Sequence, residues 1–410
     1  MVKSSLRSKK ISDAIQERGP LTVAAFMALA LYDADIGYYA RAPRRSGRAG
    51  DFFTSVDVGP VFGQLLTVQL AEMAEILNSE FGIQNWDLVE AGAADGRLST
   101  DILRAARTRH PSLYEAVRLH LVETSAAARE AQRATLGENS DCLASSSAHL
   151  PASFEGVLIA NELLDALPVH QVVMREEGLR EVYVDLARGA AQVTTDGDAL
   201  RLTTREGPPS TPALEDYLAR IGVTLEPGWR AEISLQAVAW IRDAVRRLRR
   251  GFIILIDYGH EAQELYSATH AQGTLTTFAR HTMAGPEWPA GPPWLQHPGE
   301  QDITAHVDFT SVRAAAEAEG LQTLGFLDQT YFLLGILTGG GREPVQRVQG
   351  GREPVRLEGS RPPLSSRPPS RHLKMLLMPG GLGSTHKVLI LGKGVGTPDL
   401  LGCSYRQRIT

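Results

Sequence analysis

The sequence points to an α/β protein whose mostly parallel sheet is buried on both faces and holds a nucleoside at one edge. Three observations lead there. Short, near-continuous apolar runs recur with helical stretches between them, the pattern of strands covered by crossover helices. Two of these runs end in an acid, Trp86-Asp-Leu-Val-Glu90 and Leu119-His-Leu-Val-Glu123. The first passes into small residues around Gly92 and Gly96, then into an amphipathic run with Leu98, Ile102 and Leu103 at helical spacing. A strand, a tight turn and a helix N-terminus in that order let a ligand approach backbone N–H groups that no side chain shields. An acid at the end of the next strand suits the hydroxyls of a bound ribose.

Along the chain, residues 11–31 predict one or two helices. Gly37-Tyr38-Tyr39, the basic loop Arg41–Arg48 and the polar–aromatic turn Gly50–Ser55 follow. Residues 60–80 place Val61, Leu65, Leu66, Leu70, Met73, Ile76 and Leu77 at helical spacing. The core begins near 86, with strands expected at 86–90, 119–123, 156–160, 251–257 and 386–391. Between 171 and 235 short alternating segments such as Leu179–Asp185 predict a smaller β-rich insertion. Gly340-Gly-Arg-Glu-Pro-Val345 recurs as Gly350-Gly-Arg-Glu-Pro-Val355. A stretch so rich in Gly, Pro and Arg buries no core and is expected to be disordered.

The expected division runs in seven parts. Residues 1–80 form an N-terminal helical segment covering the ligand-binding edge, 81–170 the first half of the core, and 171–248 an inserted subdomain beside that edge. The second half of the core is 249–338, the disordered insert 339–371, the final core strands 372–393, and the tail 394–410.

A length of 410 residues suits two or three domains, or one large domain with insertions. With 43% hydrophobic and 22% charged residues the composition is that of an ordinary globular protein. A net charge of -5 gives no bulk reason to expect nucleic acid as a partner. The apolar stretch Leu21–Leu31 is half of the roughly 20 residues that cross a membrane, so no membrane span is expected. Cys142 and Cys403 lie far apart and form no metal spacing, so no metal is expected and a reducing compartment is favoured. The start is basic, but Asp13 and Glu17 arrive at once, against a transit peptide and for the cytoplasm.

The 92–96 turn is not Gly-x-Gly-x-x-Gly, and no Gly-Lys-Ser/Thr is present, which disfavours pyrophosphate ligands. S-adenosylmethionine, a nucleoside without a phosphate linker, fits better. The matching segments then become specific: Gly50-Asp-Phe-Phe-Thr54, Leu88-Val-Glu-Ala-Gly92 through Gly96, and His120-Leu-Val-Glu-Thr-Ser125. Ala160-Asn-Glu-Leu-Leu-Asp-Ala-Leu-Pro-Val-His170, Asp257-Tyr-Gly-His260, Gly273-Thr-Leu275 with His281, and Asp302-Ile-Thr-Ala-His-Val-Asp-Phe309 follow in order. On these segments the chain resembles the MidA-like family of S-adenosylmethionine-dependent methyltransferases. The mitochondrial member of that family is a respiratory complex I assembly factor that methylates an arginine.

The resemblance implies a Rossmann-like class I methyltransferase core, with S-adenosylmethionine as cofactor and an arginine-bearing protein as substrate; a homodimer is compatible with it. Glu90, Gly92, Ala94 and Gly96 would line the methionine and ribose side of the cofactor, and Glu123 would accept hydrogen bonds from the ribose hydroxyls. Asp51 and Thr54 would close the pocket from the N-terminal segment, with Asn161 beside them. The family's turn usually reads Gly-Pro-Gly-x-Gly, whereas this chain has Gly92-Ala-Ala-Asp-Gly96. Ala94 brings a Cβ toward the cofactor and costs roughly 1 kcal/mol if the position needs positive φ.

Glu162 and Asp165 follow the strand 156–160, where ligands meet an open α/β sheet. On a helical turn the two acids would face the same side and could clamp a guanidinium through charge-assisted hydrogen bonds. An arginine arrives protonated, so its proton must leave as the methyl transfers. Glu162, His260 and His281 are the candidate acceptors, and Asp302 and Asp308 could serve as helix caps. The alternative reading is a non-catalytic assembly or binding factor that keeps the fold. Ala94 and the Gly/Pro/Arg-rich insert favour it, whereas intact Glu90, Glu123 and Asn161-Glu162 favour the enzyme.

Overall fold

The computed structural model describes residues 2–40, 54–187, 201–279, 282–284, 292–339, 371–377 and 382–405. The Gly/Pro/Arg repeat and the basic loop therefore lie outside the described residues, as do Asp51 and His281.

The chain opens with helix α1 (Val2–Arg18), the short strand β1 (Leu21–Thr22) and helix α2 (Val23–Met27), which continues into a π-helical turn over Ala28–Tyr32. Thr22 caps α2, its hydroxyl accepting from the Ala25 amide at 3.1 Å. Helix α3 (Val61–Phe81) buries Leu65, Leu66, Leu70, Met73 and Leu77, and it stops at Gly82 with a left-handed φ of 69°. The core then alternates β2 (Trp86–Ala91), α4 (Arg97–Arg109), α5 (Pro111–Ala116), β3 (Val117–Val122), α6 (Ala126–Leu136), β4 (Leu143–Ser147) and β5 (Phe154–Asn161). An antiparallel excursion follows: β6 (His170–Arg175), β7 (Gly178–Leu186), β8 (Leu202–Gly207), α7 (Ala213–Arg220) and β9 (Arg230–Ile233).

The chain returns through α8 (Leu235–Arg247) and β10 (Leu248–His260). It goes on through α9 (Ala262–Leu265), β11 (Thr276–Ala279), β12 (Thr282–Ala284), β13 (Asp302–Thr304), β14 (Val307–Asp308), α10 (Phe309–Ala318), β15 (Gln322–Asp328), α11 (Gln329–Leu337), α12 (Arg371–Leu377) and β16 (His386–Lys393).

The main sheet has the order β15-β16-β10-β5-β2-β3-β4, with β14 added at the end of β10. Strands β4, β3, β2, β5 and β10 run parallel, and β16 runs antiparallel between β10 and β15. The near-continuous apolar runs have a simple cause: both faces of this sheet are covered. Val157, Ile159, Ile254 and Ile256 pack on one face with Leu66, Leu70 and Ile102. Their alternates Leu158, Ala160, Ile253 and Leu255 pack on the other with Val238, Ile241 and Val245 of α8. Each fully buried Val, Leu or Ile contributes about 1.5–3 kcal/mol, so these central strands are the most stable part of the fold. Strands β4 and β15 carried no clear signal, because β4 is a half-exposed edge of serines (Leu-Ala-Ser-Ser-Ser).

The excursion forms a second sheet in the order β1-β7-β6-β9, with β8 paired to β7. The N-terminal segment supplies its edge: Leu21 pairs with Val184 and Thr22 with Tyr183. A third apolar cluster cements that join, with Ile11, Phe26 and Met27 against Val173, Val182, Val184 and Trp294.

Successive strands move outward from β2 through β3 to β4, and then the chain crosses back to lay β5 on the other side of β2. The order of the sheet reverses between β2 and β5. The crevice beyond their carboxyl ends is where an open α/β sheet binds its ligand.

Candidate active site

The turn after β2 is left-handed at three positions, with φ of 73° at Gly92, 44° at Ala94 and 85° at Gly96. The amides of Gly92 and Ala93 both donate to the Val122 carbonyl, at 2.9 and 3.1 Å, which ties the turn to the end of β3. Gly92 and Ala94 are exposed toward the crevice. Glu90, on the last turn-facing position of β2, is 6% exposed and accepts from the Ser99 amide at 3.1 Å and from the Ser99 hydroxyl. Burial pushes its carboxyl up to about 7.

Glu123 follows β3 and bridges the same turn. Its Oε2 accepts from the Ala94 amide at 2.9 Å and its Oε1 from the Ser125 amide at 2.8 Å. The Thr124 hydroxyl adds a longer contact to Oε1 at 3.4 Å, and since a carboxylate has about four acceptor positions, capacity for a ribose hydroxyl remains.

Ala94 thus occupies the positive-φ position that the sequence raised as a risk. Replacing it by glycine is expected to raise stability by about 0.5–1 kcal/mol: the left-handed penalty of about 1–2 kcal/mol is relieved, less the extra chain entropy of glycine. A urea denaturation midpoint measures this, and a midpoint below that of the wild type would refute it.

Across the crevice, β5 ends in Asn161 and Glu162. Glu162 also has a left-handed backbone, φ 51°, although it is not glycine. Strain of that kind persists where surrounding structure over-determines it. Here the Glu162 amide donates to the Ile256 carbonyl at 2.8 Å. Its Oε1 accepts from the Ser55 amide and from Asn161 Nδ2, both at 3.2 Å, and stands 3.4 Å from His386 Nε2. Asn161 Oδ1 is shielded from solvent and has no hydrogen-bond partner.

The helical turn expected over Glu162 and Asp165 does not form; a non-helical turn stands there instead. The reason is Asp257 at the end of β10. Its Oδ2 accepts from the amides of Leu163, Leu164 and Asp165 at 3.1, 2.7 and 3.4 Å, gathering three N–H groups around one oxygen. Glu162 and Asp165 still meet electrostatically. Burial, then the charges of Asp257, Asp302 and Glu162, raise the Asp165 carboxyl well above its ordinary value. Burial raises Asp257 to about 7, with Glu162 adding to the shift and His386 opposing it. The crevice therefore gathers several carboxyl groups whose charged forms an entering cation would stabilise.

The N-terminal segment closes over these acids. Tyr39 Oη donates to Asp302 Oδ1 at 2.7 Å and Tyr32 Oη to the Ala166 carbonyl at 2.9 Å. Burial raises both phenols well above their ordinary value. Thr54 is buried and bonds Asp57 Oδ2 through its amide and hydroxyl, both at 3.0 Å, while Asp57 also pairs with Arg97 at the start of α4. Asp308 caps α10, accepting from the Ser311 amide at 3.1 Å, whereas Asp302 caps no helix and faces Tyr39 instead.

His260 has a different setting from the one expected of a proton acceptor. It stands 2.9 Å from Glu264 Oε1 and in ring contact with His270 and His306, and no hydrogen bond or ion pair joins it to Glu162. The histidine that does approach Glu162 is His386, which is 0% exposed and stacked on Tyr258 at 3.8 Å. Sequence reading placed His386 only as the start of a strand. His386 opens β16, eleven strands after β5 in chain order although only β10 separates the two in the sheet, and so leaves no local signal.

With this geometry in place, comparison with known proteins is informative. Residues 65–327 match the model of the family described as "Putative S-adenosyl-L-methionine-dependent methyltransferase". "Protein arginine methyltransferase NDUFAF7, mitochondrial" of Mus musculus is 30% identical over 343 residues, covering 78% of this chain and 71% of that protein. Its Homo sapiens counterpart is 29% identical over 368 residues, covering 82% and 76%. A protein of Burkholderia thailandensis solved bound to S-adenosyl-homocysteine superposes with a TM-score of 0.76 at 27% identity, covering 98% of this chain and 95% of that one.

Proposed function

The chain belongs to the MidA-like family of S-adenosylmethionine-dependent methyltransferases, and we propose that it methylates an arginine side chain of a protein, with Glu162 holding the guanidinium and taking its proton. The residues at the crevice fit the cofactor: an open glycine turn at 92–96, Glu123 with acceptor capacity left, and the buried oxygen of Asn161 without a partner. S-adenosylmethionine, when bound, supplies an electrophilic methyl group on a sulfonium and leaves as the neutral thioether. Glu90, Glu123 and the turn amides bind and orient it, and Asn161 stands at the junction with the substrate side.

The one observation that carries the arginine reading is Glu162. A strained backbone, a backbone amide, an amide side chain and a buried histidine together fix its carboxylate at the point where the sheet order reverses. A guanidinium entering this acidic crevice loses its self-repulsion with a cationic methyl donor and gains charge-assisted hydrogen bonds. As the C–N bond forms and the C–S bond breaks, the proton released from nitrogen passes to the Glu162 carboxylate, with His386 beside it to share the charge. The curated relatives, named as protein arginine methyltransferases, support the same acceptor.

The relatives' names also place them in mitochondria. For this chain the proposed compartment is a reducing one, the cytoplasm of a bacterium or the mitochondrial matrix of a eukaryote. Among the described residues no helix is long and apolar enough to cross a membrane.

Mass spectrometry of methylated proteins in a deletion strain and its parent tests the acceptor. Loss of methyl groups from one or a few arginines is expected on deletion. Loss confined to another residue type, or to small molecules, would overturn the arginine reading and leave the methyltransferase standing.

A further inference from the structure

Beyond the crevice, three histidines from separate stretches of chain meet at one corner of the molecule. His260 closes β10, His270 ends a short 3-10 turn (Ala268–His270), and His306 precedes β14. Strand β14 pairs in parallel with the last residues of β10, Gly259 facing Val307 and His260 facing Asp308, and this brings His306 beside His260. The ring centroids are 4.9, 5.3 and 5.9 Å apart. One nitrogen from each ring lies within 4.8 Å of the other two, and all three residues are half-buried, so an ion can reach them from solvent.

The surroundings fix where the ring protons sit. The Glu264 carbonyl can only accept, and it lies 3.0 Å from His270 Nδ1, so that ring donates from Nδ1 and keeps its lone pair on Nε2. Glu264 Oε1 lies 2.9 Å from His260 Nδ1 but makes no hydrogen bond with it, so this shielded nitrogen has no hydrogen-bond partner. His306 Nδ1 is likewise shielded from solvent with no hydrogen-bond partner. No hydrogen bond joins one of the three rings to another. Two buried ring nitrogens without a partner, beside a third ring whose Nε2 keeps its lone pair, form one small volume that a shared cation would satisfy.

We propose that His260, His270 and His306 bind one divalent transition-metal ion of the zinc type, one nitrogen each. An all-nitrogen set excludes Mg²⁺ and Ca²⁺, which take oxygen. Nitrogen ligands about 2.0–2.1 Å from zinc stand about 3.4 Å apart in a tetrahedron, so nitrogens now up to 4.8 Å apart close by at most about 1.4 Å, within reach of side-chain rotation. Three ligands leave a fourth position for water. The ion would pin the end of β10, the 268–270 turn and the loop before β14 together, stiffening the chain just past Asp257. Spacings of ten and thirty-six residues match no metal motif, so no local pattern announces the site.

The test uses the full-length protein stripped with a chelator. Zn²⁺ affinity is measured by competition with a chromophoric chelator for wild type, His270→Ala, His306→Gln and the double variant. One equivalent bound by wild type is expected, weakened at least tenfold in each single variant and lost in the double. Co²⁺ added to wild type needs no variant and should give the intense visible bands of a four-coordinate site, displaced by one equivalent of Zn²⁺. Failure of the wild type to hold a stoichiometric ion, or equal binding by a folded double variant, would overturn the proposal. Neither outcome touches the methyltransferase reading, since no part of the test measures methyl transfer.

Discussion

Glu162→Gln lowers the rate of methyl transfer by about 10²–10⁴-fold, the span a positioned proton acceptor usually contributes, and leaves S-adenosylhomocysteine affinity within about threefold. The amide oxygen of glutamine still accepts from the Ser55 amide, so the geometry survives while the charge does not. Folding should not suffer. Glu162 raises the carboxyls of Asp165 and Asp257 through like-charge repulsion, and removing it relieves that pressure. The sign of the linkage follows. Raised carboxyls favour the folded state at low pH and disfavour it as pH climbs from their ordinary range to the folded value, about 7 for Asp257. The variant should therefore lose less stability between about pH 5 and pH 8 than the wild type does. Transfer of radiolabelled methyl groups to protein, followed with thermal melts at several pH values, reads both effects. Undiminished transfer by Glu162→Gln would remove the proton-acceptor role.

Glu123→Ala weakens S-adenosylhomocysteine binding by about 30–300-fold. Hydrogen bonding from the ribose to a charged acceptor, about 1.5–3 kcal/mol in net worth for one bond, accounts for most of this. Loosening of the turn adds to it, because Glu123 is also the acceptor for the Ala94 and Ser125 amides. Stability should fall by about 1–2 kcal/mol as those amides lose a partner, with Ala94 exposed enough for water to compensate in part. Glu123→Gln retains one acceptor oxygen and should fall between the two. Isothermal calorimetry checks the affinities. A dissociation constant for Glu123→Ala equal to the wild-type value would show that the ribose is held elsewhere.

Much of this was legible residue by residue. Strands β2, β3, β5, β10 and β16 follow from runs such as Phe252–Ile256, since burial of both faces removes the polar alternation that would blur them. The left-handed turn at 92–96 follows from its glycines, and the risk at Ala94 from its being the one non-glycine where positive φ is needed. The helical turn over Glu162–Asp165 was misread because the residue that prevents it, Asp257, lies some ninety positions away. His386 and Ser55 were missed for the same reason: each approaches Glu162 from a distant segment.

Local composition and periodicity were enough to establish an α/β core, its glycine turn and the acids at two strand ends, because these are properties of contiguous residues and repeat along the chain; the family followed from the resemblance of motifs such as Ala160–His170. Only the folded arrangement decided which acids share one crevice, which histidine serves Glu162, that β1 completes the inserted sheet, and that three other histidines meet. Those outcomes depend on the order of strands across the sheet. That order is set by packing between segments remote in sequence, and no local pattern encodes it.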